Sequence, residues 1–300
     1  MRTLTYLPIV VLALSRGASP VAAQDARAEA VLNATRDALG GADKLAAIKG
    51  LTAKGTHHRS MGDVQATGDT QIDVTLPDKY LRSQTDQIFG SSVTIETGFD
   101  GEEPVQRSNS VGGGPNVVFR MAGPGGPGGP AEDPAVIKAN QLRAQHADFA
   151  RLMLGWFATA PAFMESTYSY AGVAESPDGR ADIIEIKGKD QFAARLFIDQ
   201  QTHRPLMLTY MGVKPMVRVM RSSGGGGHGA PAPAGGEEAT RRADRAVREA
   251  TTQEPPPLVE MHLYLDDYRQ VGCVWLPHHI SRSINGETNE EIDFQKIQIK

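Results

Sequence analysis

Most of this chain alternates strand-like runs with turn residues, and two of the runs share a layout. In LFIDQQTHRPLMLTY (196–210) and LYLDDYRQVGCVWLPHHIS (263–281), an apolar strand reaches an aspartate, a polar turn follows, and a proline opens the next strand. The pattern predicts two antiparallel hairpins of one sheet, with Asp266 and Asp267 opening the second turn and Pro277 starting the last hairpin.

Upstream, residues 26–39 are rich in Ala, Arg and Glu and stop at Gly40-Gly41, a helix followed by residues suited to the left-handed conformation. A second short helix is expected over 42–49. From Leu51 the texture turns to strand: LTAKGTHHRS, VQATGDTQIDVTLP, KYLRSQTD and SSVTIETGFDG, three or four antiparallel strands joined by Gly, Asp and Pro turns. Residues 111–129 are dominated by Gly and Pro and hold no regular element beyond the island VVFRM at 117–121.

Asp133-Pro134 then supplies a cap and a first-turn proline. The helix it starts brings Leu142, Phe149, Leu152, Met153, Trp156 and Phe157 close to one face at 3.6-residue spacing. The chain stays apolar through WFATAPAFM, so Phe163 and Met164 extend that surface.

Strands resume with STYSYAGVAES, ADIIEIKGKD and QFAARLFID, and finish with VEMHLYLDDY, CVWLPHHISRS and NEEIDFQKIQIK. Between them, residues 222–257 form a Gly/Ala/Pro tract with a charged patch that has too few large apolar side chains to dock firmly. Strands on either side of it belong together, so residues 24–300 read as one domain with low-complexity loops at 111–132 and 222–257. The expected class is α+β and β-rich, with helices packed into the concave side of a strongly curved antiparallel sheet.

The N-terminus carries Arg2, an apolar run from Leu4 to Ser15, and the small-residue stretch RGASPVAAQ, the three-part layout of a secretory signal peptide. Cleavage is expected after Ala23; the apolar run is short of the roughly 20 residues that cross a bilayer. The chain has 31 basic and 35 acidic residues; cleavage removes Arg2, Arg16 and no acid, leaving 29 against 35, a net charge of -6. That balance excludes a nucleic-acid partner needing a basic face. The single cysteine, Cys273, allows no intrachain disulfide and no lipid at the mature N-terminus. It is expected as a buried thiol in a strand. An exported protein follows, periplasmic where the source has an outer membrane.

The order of these features, with ADKLAAIKGLTAKG, LPDKYLRS, the GFDG turn, LFIDQQTHRP and LDDYR…LPHHI, resembles the outer-membrane lipoprotein-sorting proteins, the group of LolA, LolB and RseB. The resemblance covers most of the chain outside 111–129 and 222–257. It implies an incomplete antiparallel β-barrel with a helical lid over an apolar cavity for acyl chains, as in a periplasmic carrier of lipid or lipoprotein. Leu152, Met153, Trp156, Phe157, Phe163 and Met164 would line lid and cavity, although a helical apolar stripe is also what a plain core looks like. Two positions depart from the family pattern. Leu76 stands where the carrier has a basic residue before its proline, and GFDG lacks the aromatic pair that usually follows. The alternative partner is an envelope membrane protein docked by a sensor or assembly subunit.

Catalytic and cofactor chemistry finds no anchor. His57-His58 and His278-His279 are neighbours on strands and point to opposite faces; one from each pair could converge with His262 across the sheet, but no HExxH or cysteine cluster supports a metal site. Met207, Met211, Met216 and Met220 match no single strand face. There is no GxSxG elbow, and the prolines in AGPGGPGGP defeat a phosphate cradle. The expectation is a non-enzymatic protein without metal or cofactor. A buried histidine and carboxylate within hydrogen-bond reach at a cavity would reopen the enzyme reading.

Overall fold

The computed structural model describes residues 20–61, 64–88, 91–111, 133–177, 179–213 and 258–300. The signal-peptide run, the VVFRM island, Met216, Met220 and the 222–257 tract lie outside them.

Helix α1 (Pro20–Leu39) runs through the expected cleavage point and stops at Gly40-Gly41, and α2 (Ala42–Ala47) is a turn and a half. Five strands follow: β1 (Gly50–Met61), β2 (Val64–Thr75), β3 (Lys79–Ile88), β4 (Ser91–Asp100) and β5 (Glu103–Val111). The long helix α3 (Pro134–Phe157) comes next, then β6 (Thr167–Ser176), β7 (Gly179–Lys187), β8 (Ala193–Asp199) and β9 (Pro205–Val213). The last strands are β10 (Leu258–Val271), β11 (Val274–Ile284) and β12 (Glu287–Ile299).

All twelve strands form one antiparallel sheet in the order β5-β4-β3-β2-β1-β12-β11-β10-β9-β8-β7-β6. β9 pairs with β10 across the low-complexity tract. The edges β5 and β6 do not pair, so the sheet is open. It is nonetheless strongly bent. Phe149 on α3 packs on Phe99 of β4, with ring centroids 5.5 Å apart, while Arg151, two residues on, lies 3.8 Å over the Tyr210 ring of β9. In a flat sheet, β4 and β9 would be about 34 Å apart at ~4.8 Å per strand. Only a trough wrapped around α3 brings both within reach, and the result is an incomplete barrel with helices on its concave side.

The trough is filled from α1 (Ala28, Leu32, Leu39), α3 and alternate residues of the strands, among them Leu51, Ile72, Phe99, Leu196, Leu265, Leu276 and Phe294. A helix touches each edge: Gln145 of α3 donates to the Val105 carbonyl of β5 at 2.9 Å, and Arg27 of α1 stacks on Tyr170 of β6.

Three expectations need correction. Asp266 and Asp267 do not open a turn: β10 runs through them, and the chain reverses at Gly272 and Cys273. Pro277 accordingly lies inside β11, opposite Tyr268, rather than at its start. Cys273 is exposed in that turn and not buried in a strand. The upstream hairpin does follow the expected layout, since Pro205 opens β9 and Asp199 accepts from the amides of Gln201 and Thr202. Finally, β5 was not expected; its residues are largely exposed and give no apolar alternation to read.

One glycine is required by close packing. Gly68 lies between His57 and Asp86 in the register, and a Cβ there would stand 1.6 Å from the Thr85 carbonyl oxygen. Gly68→Ala is expected to destabilise the fold by more than about 2 kcal/mol, the range of severe core disruptions, measured by urea denaturation. An unchanged midpoint would show that β2 and β3 tolerate separation there.

Candidate functional site

Sequence places α3 in the trough for local reasons. Asp133 accepts from the Ala135 amide at 2.9 Å with Pro134 behind it, and Ala158 ends the helix in the left-handed conformation. The exposed Val136 and Ile137 belong to the first half, which runs out beside β5; from Phe149 to Phe157 the helix is buried apart from Arg151. Arg36 of α1 donates to the Ala158 carbonyl at 3.1 Å, satisfying an acceptor at the C-terminal end of α3.

The six expected residues come together in one core. Leu152, Met153, Trp156, Phe157 and Met164 are buried, and Phe163 is half-buried against Phe99 and the His146 ring. Trp156 is fully buried and meets Phe294 of β12 edge to face at 5.7 Å. Gly155 leaves room for Leu265 of β10 to press against the helix backbone, 2.9 Å from where a Cβ would stand. A cavity of about 10 Å³ remains at Leu152, Leu263, Ile280, Ile292, Tyr80, Arg82 and Arg282. That is room for one water, so the interface is closed.

Beside this apolar half lies a buried charged network that the sequence reading did not anticipate. Glu290 of β12 accepts from Arg82 at 2.5 Å and Gln84 at 2.9 Å, both on β3, and its other oxygen is 3.5 Å from Arg282 Nε on β11. Arg282 donates to Asp148 of α3 at 3.1 Å, and the Tyr80 hydroxyl donates to the second Asp148 oxygen at 3.0 Å. One carboxylate with two donors thus ties the middle of the helix to β3 and β11.

Burial alone would raise the Glu290 carboxyl, but Arg82 and Arg282 hold it well below the usual carboxylate range. The same balance acts at Asp148, where burial is outweighed by Arg282, Arg82 and Arg151. Breaking a buried pair from one side leaves an uncompensated charge, which costs about 3–5 kcal/mol.

At the far end of the network, His57 Nε2 and Asp86 Oδ1 are 2.7 Å apart over Gly68, both side chains fully buried, and Arg59 also pairs with Asp86. Burial, the largest influence, pushes the His57 pKa down to about 4. The ring is therefore neutral at pH 7, its Nε2–H donating to Asp86. This is a histidine–carboxylate contact of the kind that would reopen the enzyme reading. It does not line the cavity beside α3.

The histidine pairs split across the sheet as strand geometry requires. His57 is buried and His58 exposed, while His262 bonds Tyr264 on the exposed face. No group of metal-ligating side chains converges among the described residues, and no helix there is long and apolar enough to cross a membrane.

Signals for the network did exist. Glu290 alternates with Ile292 and Phe294, and Asp148 shares the helix stripe of Leu152 and Trp156.

Because the folded state keeps His57 neutral down to about pH 4 and the unfolded chain protonates near 6.5, the unfolded state binds more protons between these values. Stability contributed by this group is full above pH 6.5 and falls as pH drops toward 4, by at most about 3 kcal/mol. Urea midpoints at pH 7 and pH 4.5 should show that loss, and His57→Gln should flatten it. An equal slope in the variant would remove His57 as its source.

No family model and no curated protein matches the chain. Among solved structures, a LolA superfamily protein from Nitrosomonas europaea matches with 9% identity and a TM-score of 0.45, covering 91% of this chain and 93% of that one. A domain described as an outer membrane lipoprotein-sorting protein from Vibrio parahaemolyticus matches with 8% identity and a TM-score of 0.42, over 92% and 93%. A DUF1329 family protein from Desulfovibrio piger gives 8% and 0.42, over 91% and 93%. Likeness at this level says nothing of ligand or partner, and the geometry of the α3 interface carries the functional reading.

Proposed function

We propose that this chain is a non-enzymatic binding protein of the periplasm that takes an acyl chain, free or attached to a lipid or lipoprotein, between α3 and the concave sheet. The observation that carries the reading is that one helix fills the trough between β4 and β9 with flexible and aromatic side chains, and its stretch from Leu152 to Phe157 meets the sheet through apolar contacts. Met153 and Met164 adapt their shape to a variable partner. The closed interface means that α3 has to shift or withdraw for a ligand to enter.

Magnitudes permit the exchange. Phe149, Leu152, Met153, Trp156 and Phe157 together gain roughly 10 kcal/mol from burial, at ~1.5–3 kcal/mol each. A saturated acyl chain of about fifteen methylenes gains on the order of 12 kcal/mol at ~0.8 each. One chain can therefore replace the helix face without a large net cost, leaving the Asp148 contacts to set how readily α3 moves.

With Trp275→Phe, Trp156 becomes the sole tryptophan. Titrating a long-chain fatty acid into that variant should shift its emission, because the ring must leave Phe294 or pack on the ligand. Trp156→Ala and Met153→Ala should each lose at least tenfold in affinity for a fluorescent fatty acid, with circular dichroism establishing that each variant folds. Unchanged emission and unchanged affinity in folded variants would sink the lid assignment.

A second reading, docking of an envelope membrane protein, is favoured by exposed apolar side chains set among Glu260 and His262 on the outer face of β9 and β10. Val213 lies directly across from Leu258, with Met211 and Tyr264 further along the same strands. A photo-crosslinking residue at Met211 should then trap one membrane protein in intact cells, and Tyr264→Asp should abolish the adduct. Absence of any adduct would dismiss this reading.

A further inference from the structure

Arg151 is the side chain of α3 that the packing leaves unexplained. Its guanidinium lies 3.8 Å over the Tyr210 ring and 5.7 Å from that of Phe192, so its plane is held by aromatic faces. Its Nε is buried with no acceptor. The nearest carboxylate on the helix, Asp148, is already occupied by Tyr80 and Arg282.

Charge in the network is also out of balance. Arg59, Arg82, Arg151 and Arg282 stand against Asp86, Asp148 and Glu290, and His57 is neutral at pH 7. Three of the four arginines reach a carboxylate. Arg151 forms no ion pair among the described residues, and burial disfavours its charge. Asp148 acts on it only at a distance, so the guanidinium has no carboxylate in contact.

A guanidinium clamped on a ring presents its N–H groups in its own plane, the fork that matches a carboxylate or phosphate. Arg151 is half-buried, so an anion can approach it from solvent. It immediately precedes Leu152 and Met153, and Leu152 and Arg282 both line the small cavity. An anion held at Arg151 would therefore sit at the rim of the apolar core.

We propose that Arg151, flanked by Arg282 and fixed by Tyr210, receives the carboxylate or phosphate head group of an amphiphile whose chain occupies the α3 interface. The amphiphile part rests on the acyl-chain reading above; the anion receptor stands on Arg151 itself.

The experiment compares cis-parinaric acid, its methyl ester and inorganic phosphate on the purified, delipidated protein. Wild type should bind the acid at least tenfold more tightly than the ester. Arg151→Gln should bring the acid to the ester's affinity and leave the ester unchanged. Arg151→Lys, which keeps the charge and loses the fork, should recover only part of the preference. Circular dichroism and urea midpoints establish that both variants fold.

Acid and ester bound equally by wild type, or a preference that survives Arg151→Gln, would overturn the receptor while keeping the acyl-chain reading. Phosphate binding abolished by Arg151→Gln, with neither probe bound, would keep the receptor and overturn the acyl chain. Silence of all three ligands would overturn both.

Discussion

A sheet bent far enough to place β4 and β9 on one helix has a concave face that something must fill, and everything else in this protein depends on how α3 fills it. The strands supply an apolar floor, but the trough is too wide for its own side chains to meet. Helix α3 provides the missing volume from Phe149 to Phe157, and α1 adds Ala28, Leu32 and Leu39. The core is therefore an interface between one curved sheet and a helix. This construction differs from a sandwich, in which two sheets seal each other.

The charged network gives α3 a defined seat. Apolar contact is non-directional and would allow a helix with this stripe to slide or rotate. Asp148, held by Tyr80 from β3 and Arg282 from β11, selects one position. Its carboxylate is buried at a cost that the two donors offset. Glu290 extends the same order into the sheet by linking β3, β11 and β12 across the concave face.

Much of the architecture is legible in the residues themselves. The Gly40-Gly41 stop, the Asp133-Pro134 start and the stripe through Phe157 locate the helices closely, because caps and periodicity act over a few residues. The strands that bury one face are equally clear. β5 was hidden because an exposed edge strand needs no alternation. Asp266 and Asp267 imitate a turn because exposed polar residues inside a long strand carry the same composition as one. The network escaped for a different reason. Tyr80, Arg82, Gln84 and Asp86 alternate as an outward polar face would, and only the partners brought across the trough by the sheet's curvature show that this face is the inner one. Local patterning can mark Asp148 and Glu290 as inward-facing, but it carries no sign of which charge each one meets.

The strand order also dictates when this structure can form. β1 and β12 pair at the centre of the sheet, so the first and last strands of the chain meet there. Synthesis from the N-terminus completes β1 to β5 as a neighbouring block long before β12 exists. Until then, Leu51, Ile72, Val74 and Phe99 have half a trough and no far wall. Contacts of such sequence separation form slowly. The growing chain thus passes through a stage with a broad apolar surface uncovered, a stage at which a holding chaperone has something to grip.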